Sequence, residues 1–223
     1  MAKLSLTQFG ELRVPAWVVD HPSFLKWFRS GGVPEDTRIG YIDNQVWAEN
    51  MAERAFAHNK LKTRIARTLD ALVEEHNLGV FFGDGMAFTS EEGGFTSVPD
   101  AIFACQQTVD SGRVRLTGGR RSHQDTELVG QPDLVVEVVS DSSEYKDTEW
   151  LMANYWNAGV TEYWVVDGRE EPLRFTIYQR GERGFDATLA ADGWTHSVAL
   201  GYAFRFVAGQ EQMGFPTYRL EVR

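Results

Sequence analysis

The 223-residue chain holds a single cysteine, Cys105, so no disulfide can form within it and no multi-thiolate zinc site can be built. Long hydrophobic runs are also missing. No stretch approaches the roughly 18 uninterrupted apolar residues of a membrane span. The opening Met1-Ala-Lys-Leu-Ser-Leu-Thr-Gln lacks the apolar core of a signal peptide. The expectation is a soluble, cytoplasmic protein with no membrane partner. Excess positive charge is absent as well: 22 Lys and Arg face 32 Asp and Glu, a formal net charge of −10. Proteins that coat nucleic acid usually carry surplus Lys and Arg, because phosphate neutralisation with counterion release supplies most of their affinity. There is no Gly-x-Ser-x-Gly elbow, no phosphate-binding glycine loop and no His-Glu-x-x-His pair, so serine-hydrolase, nucleotide-loop and zincin chemistries lack their usual signatures.

What the chain does have is apolar surface. Hydrophobic residues make up 43%, including 14 Phe, 7 Trp and 7 Tyr, enough to offset the entropy of ordering a chain of this size. The length suits one core, since single cores commonly run to roughly 250 residues. Charge distribution matters more than its sum, and two windows run against the acidity. Arg54, Lys60, Lys62, Arg64 and Arg67 fall between 54 and 69 with no acid among them. Arg113, Arg115, Arg120 and Arg121 fall between 111 and 124, again without an acid.

Residues 1–37 read as a lead-in with a short aromatic helix over 23–29, and residues 38–223 as one domain. Ile39 and Tyr41, then Val46-Trp47, flank Asp43-Asn44 and predict a strand hairpin. A helix is expected from about 52 to 76, where Leu61, Ile65, Leu69 and Leu72 form an apolar stripe. At 100° per residue, Lys60, Arg64 and Arg67 fall on the opposite side, while His58 falls on the apolar side. Three β-prone runs follow, at 80–82, 86–89 and 95–105. Leu134-Val-Val-Glu-Val-Val139 suits a strand buried on both faces. A second helix over about 142–157 should end at Gly159, with strands at 162–166, 173–179, 196–207 and 218–222. This order describes an α/β protein, a mixed sheet with helices on it.

Glu137 is the most informative residue, because an ionised carboxylate inside a run of Leu and Val is costly to bury without a partner or a cation. Asp133 shares its strand face but lies about 13 Å away at 3.3 Å per residue. Asp100, at the start of a β-prone stretch in Val98-Pro-Asp-Ala-Ile-Phe103, can supply a partner from another strand. Two carboxylates on neighbouring strands make a hard-oxygen site of the sort that holds Mg²⁺ or Mn²⁺. The plainer alternative is a strand-edge aspartate and a glutamate bonded to a nearby arginine. Lys146 is a third candidate, in the first turn of a helix whose Asp141-Ser-Ser-Glu144 has capping-box spacing. A cation there opposes the helix dipole unless it reaches an anion; an exposed ion pair with Glu144, Asp147 or Glu149 is the alternative.

Pro132-Asp-Leu-Val-Val-Glu-Val-Val-Ser-Asp-Ser-Ser143, Lys146-Asp-Thr-Glu and Tyr155-Trp-Asn-Ala-Gly-Val-Thr-Glu-Tyr-Trp-Val-Val-Asp167 together resemble the Uma-two family of bacterial restriction endonuclease-like proteins, within the PD-(D/E)XK nuclease superfamily. Ile39 to Trp47, Ala57-His-Asn-Lys60 and Val98 to Phe103 fit the same family. The resemblance covers roughly residues 38–222 and implies a restriction-endonuclease-like core that hydrolyses DNA with Mg²⁺ or Mn²⁺. It implies that Asp100, Glu137 and the Val138 carbonyl bind metal. The family lysine normally stands two residues after the acid, where this chain has Val139, or on the following helix, at the position of Leu151. Lys146 is therefore the expected replacement. Gly40 stands where many members carry a glutamate, and Glu53 is a candidate substitute, with His58 as a further accessory residue. Lys60, Arg64, Arg67, Arg113, Arg115, Arg120 and Arg121 are the expected phosphate contacts. Two other readings stay open: a catalytically inactive nuclease fold serving as a nucleic-acid or protein interaction module, and a homodimer joined through exposed Trp17, Trp27 and Phe28.

Overall fold

Asp43 and Asn44 both take positive φ, 48° and 62°, the paired left-handed conformation of a two-residue hairpin turn. They join β2 (Arg38–Ile42) to β3 (Gln45–Glu49) as the sequence predicts, with β1 (Lys3–Ser5) added parallel to β3. The computed structural model describes residues 3–5, 14–33, 37–49, 55–117, 126–140 and 150–223. Before the hairpin, α1 (His21–Arg29) starts at Asp20, whose carboxylate accepts from the Ser23 N–H at 2.9 Å while the Ser23 hydroxyl accepts from the Asp20 N–H at 3.0 Å. Its apolar face buries Phe24, Leu25 and Trp27 against Ile39, Tyr41 and Val46. Trp27 is thus a core residue and Phe28 half-buried, which corrects their assignment to an exposed contact; Trp17 remains about half exposed, at 49%.

A π-helical turn (Ala55–Lys60) runs into α2 (Leu61–His76), which stops at Asn77 in the left-handed conformation. Then come β4 (Gly79–Phe82), β5 (Ala87–Ser90), β6 (Phe95–Ser97) and β7 (Ala101–Cys105). The single β-prone run expected at 95–105 is two strands in two different sheets. Pro99 cannot donate to a ladder, and the chain changes sheets across Val98-Pro99-Asp100. Next are α3 (Gln106–Asp110), β8 (Val114–Thr117), β9 (Glu127–Gly130), β10 (Leu134–Val138), α4 (Leu151–Asn157) and β11 (Glu162–Asp167). The chain ends with β12 (Arg174–Arg180), β13 (Phe185–Ala187), β14 (Thr195–His196), β15 (Ala203–Ala208) and β16 (Tyr218–Val222).

The mixed α/β class holds, with the strands divided between two large sheets and one small one. The first large sheet has the order β1-β3-β2-β6-β5-β9-β8, the second β13-β12-β11-β10-β7-β4, and the small one β14-β15-β16. In the second sheet β10 lies at the centre, parallel to β11 and antiparallel to β7. One face of that sheet, including Phe103, Leu134 and Val136, receives Leu61, Ile65 and Leu69 of α2. The other, with Ile102, Val135 and Val139, meets Leu151 and Tyr155 of α4 and Phe88, Phe95 and Leu128 of the first sheet. Two packed apolar faces explain why β10 reads as a nearly continuous apolar run.

Candidate functional site

The β7–β10 register pairs Ala101 with Val136, so one step further along the two strands Asp100 faces Glu137. Backbone contacts bracket the pair. The Asp100 N–H donates to the Val136 carbonyl at 3.1 Å, and the Val138 N–H donates to Asp100 Oδ2 at 2.7 Å. Both carboxylates are buried, Asp100 at 5% and Glu137 at 4% exposure. The Tyr155 hydroxyl of α4 donates to Glu137 Oε1 at 2.6 Å and lies 3.0 Å from the Ser97 hydroxyl. Burial first, then the neighbouring Glu137 carboxylate, push the Tyr155 phenol well above its ordinary range. It therefore stays protonated and keeps donating.

Two cations meet on one oxygen of Asp100. Arg38, at the start of β2, and Lys62, in the first turn of α2, each lie 3.0 Å from Asp100 Oδ1. Both also pair with Asp84 in the β4–β5 turn, Lys62 at 2.6 Å. His58 Nε2 is 3.8 Å from Asp100 Oδ2. Burial alone would raise the Asp100 carboxyl; Arg38, Lys62 and His58, with the Val138 N–H, outweigh it and hold the group below its ordinary value. Arg38 is desolvated, which disfavours its charge, yet Asp100, Asp84 and Glu137 together raise its pKa. Arg38 therefore couples electrostatically to both acids. A cleft of about 520 Å³ opens beside them, lined by Asn59, Lys62, Arg67, Phe81, Asp84 and Asp100 among others.

The sequence-predicted residues divide clearly. Asp100, Glu137, Val138 and His58 come together, Val138 through its N–H where its carbonyl is the expected group. Lys146, Glu53, Arg120 and Arg121 lie outside the described residues. Lys60, Arg64 and Arg67 line depressions along α2. Arg113 and Arg115 are engaged by acids: Arg113 reaches Asp133 at 3.9 Å and Arg115 reaches Glu91 at 3.1 Å. Sequence pattern does not single out Arg38, Lys62, Asp84 or Tyr155 as site residues. Lys62 stands out only as one charge in a basic window.

Asp100, Glu137 and the Val138 carbonyl are hard-oxygen donors. Mg²⁺ commonly takes one or two protein carboxylates and completes its shell with water and substrate phosphate, and the donor chemistry fits that pattern. Among the described residues no group of three or more His, Cys, Asp or Glu is placed to hold a metal ion. Also among the described residues, no helix is long and apolar enough to cross a membrane.

A family model described as "Uma2: Putative restriction endonuclease" matches residues 22–204. Among solved structures, the chain is similar to "a putative nuclease belonging to DUF820 from Anabaena variabilis", with a TM-score of 0.60 at 14% identity, over 82% of this chain and 91% of that one. At that identity the likeness is one of fold. No curated protein matches the chain.

Proposed function

Because the chain belongs to the Uma2 family of restriction endonuclease-like proteins, we propose that it is a Mg²⁺- or Mn²⁺-dependent endonuclease that hydrolyses DNA phosphodiester bonds at the Asp100–Glu137 end of its six-stranded sheet. The observation that carries this reading is the pairing of two buried acids on adjacent strands, beside a cleft that also holds Lys62. Asp100, Glu137 and the Val138 carbonyl would hold the cation. When bound, it supplies a water of lowered pKa and positive charge against the phosphodiester. Tyr155 acts as a positioning residue, fixing one oxygen of Glu137 by its 2.6 Å hydrogen bond. Lys62 brings an ammonium to the acids from α2 and joins Lys146 as a candidate for stabilising charge on the phosphate, the task left open by Val139.

The test is nicking of supercoiled plasmid in Mg²⁺ and in Mn²⁺. Asp100→Asn and Glu137→Gln, which keep side-chain volume, should each lower the rate at least 100-fold, with folding checked by circular dichroism. Robust cleavage by the Glu137→Gln protein would overturn the assignment. The engagement of Asp100 Oδ1 by both Arg38 and Lys62 favours a second reading, an inactive nuclease fold used as an interaction module. A wild-type protein that neither cuts DNA nor binds Mn²⁺ in a calorimetric titration would establish that reading instead.

A further inference from the structure

Among the described residues, most arginines are engaged by carboxylates. Arg29, Arg38, Arg113, Arg115, Arg169, Arg174, Arg205 and Arg219 all lie within ion-pair distance of an acid. On the outer face of α2, Arg64 and Arg67 differ: neither has a hydrogen-bond or ion-pair partner among the described residues. The two guanidiniums lie one helical turn apart on α2, so together they present two positive charges that no acid among the described residues neutralises.

Both line a groove of about 430 Å³ between α2 and β16. Arg219 enters it from β16. Its only ion-pair partner among the described residues is Glu221, at 3.4 Å, and Glu221 is held more closely by Arg205, at 2.8 Å. The groove is walled by Ala71, Leu72, Leu220 and Val222, with the Thr68 side chain; Glu75 is its one acid. An apolar surface rimmed by three guanidiniums suits a sugar-phosphate strand, with sugars against the aliphatic wall and phosphates on the rim. Arg67 also lines the cleft that contains Lys62 and Asp100. The groove and the cleft therefore adjoin Arg67 from two sides.

We propose that the α2–β16 groove binds the DNA backbone on one side of the bond to be cut, with Arg64, Arg67 and Arg219 contacting successive phosphates. The assignment of DNA as partner rests on the nuclease reading above. It gives the substrate a direction, entering over α2 from the β16 side. Arg219 lies beyond the segment matched by the family model, which ends at residue 204, so this part of the track belongs to the chain's own C-terminal sheet.

The experiment is fluorescence anisotropy with a labelled 20-base-pair duplex, in EDTA and with Ca²⁺ in place of Mg²⁺, across a salt series. The Arg64→Ala/Arg219→Ala protein should bind at least tenfold more weakly than wild type. Its slope of log K against log salt should fall by about 2, about one for each phosphate no longer engaged. Arg174→Ala, which removes a remote exposed arginine, should leave both quantities unchanged. An Arg64→Glu/Arg219→Glu protein with an unaltered thermal midpoint should bind more weakly still. Wild-type affinity and slope in the double variants, or no duplex binding by wild type under either condition, would overturn the proposal. Failure of wild type to cut plasmid while the arginine effects persist would instead defeat the nuclease reading and leave the groove assigned.

Discussion

Lys62 has a position that a helical wheel does not reveal. It follows the buried Leu61, on a helix whose other cations face outward, and its amine reaches Asp84 and Asp100 at 2.6 and 3.0 Å. Its burial depends on the β4–β5 turn folding over it, a long-range event with no local signature. Glu137 is legible for the opposite reason: a charge inside Leu134 to Val139 is anomalous on sight. Gly40 gains an explanation of the same local kind. A Cβ there would lie 2.5 Å from the Thr96 carbonyl, so the close approach of β2 to β6 excludes a glutamate at that position. If Lys62 stabilises charge at the phosphate, Lys62→Met should slow plasmid cleavage about 100-fold while changing duplex affinity less than threefold. The matching Lys146→Met protein separates the two lysines, and a rate decrease below threefold for Lys62→Met would remove it from the reaction.

Among the elements, the hairpin, α2, β10 and β11 follow from sequence pattern, because turn chemistry and apolar periodicity are local. The β6–β7 break is harder to read, although Pro99 signals it, since only tertiary pairing assigns the two strands to different sheets. α1 is tied to the first sheet by polar as well as apolar contacts. Arg29 grips the buried Glu127 in bidentate fashion at 2.8 and 2.9 Å, and His21 Nε2 lies 2.9 Å from the Thr96 hydroxyl. Burial, assisted by nearby Arg29, depresses the His21 pKa to about 4 from 6.5. Between those values the unfolded chain binds the proton and the folded one does not, so stability is full above pH 6.5 and falls with decreasing pH down to about 4. The decrease should reach about 2–3 kcal/mol across that window, at about 1.4 kcal/mol per pH unit. Urea midpoints at about pH 7 and about pH 4.5 should show it, and His21→Gln should flatten the dependence.

Where β11 meets the small sheet, a second buried carboxylate is surrounded by donors. Glu162 is fully buried and accepts from Trp164 Nε1 and Ser197 Oγ, each at 2.6 Å, and from the Val198 N–H at 2.7 Å. All three of these neighbours are donors, so Glu162→Gln turns an amide N–H₂ towards at least one of them. The expected cost is about 1–3 kcal/mol, measurable by urea denaturation, and unchanged stability would show that the loop repacks around the amide.

For the whole molecule, the formal charge of −10 argues against DNA coating but leaves room for a local track, because the cations that matter lie along one helix and one strand. Composition cannot separate Arg67, without a partner among the described residues, from Arg115, which is paired with Glu91. The topology has a further consequence. β10 sits between β7, which precedes it, and β11, which follows it in parallel register. A chain that has not yet produced Asp167 has no completed β11 to close that side. Non-local pairing of this sort is slow relative to helix formation. Refolding protein should therefore recover helical ellipticity before β10 and β11 pair, and, on the proposed nuclease reading, a chain still on the ribosome cannot cut until β11 has left the exit tunnel.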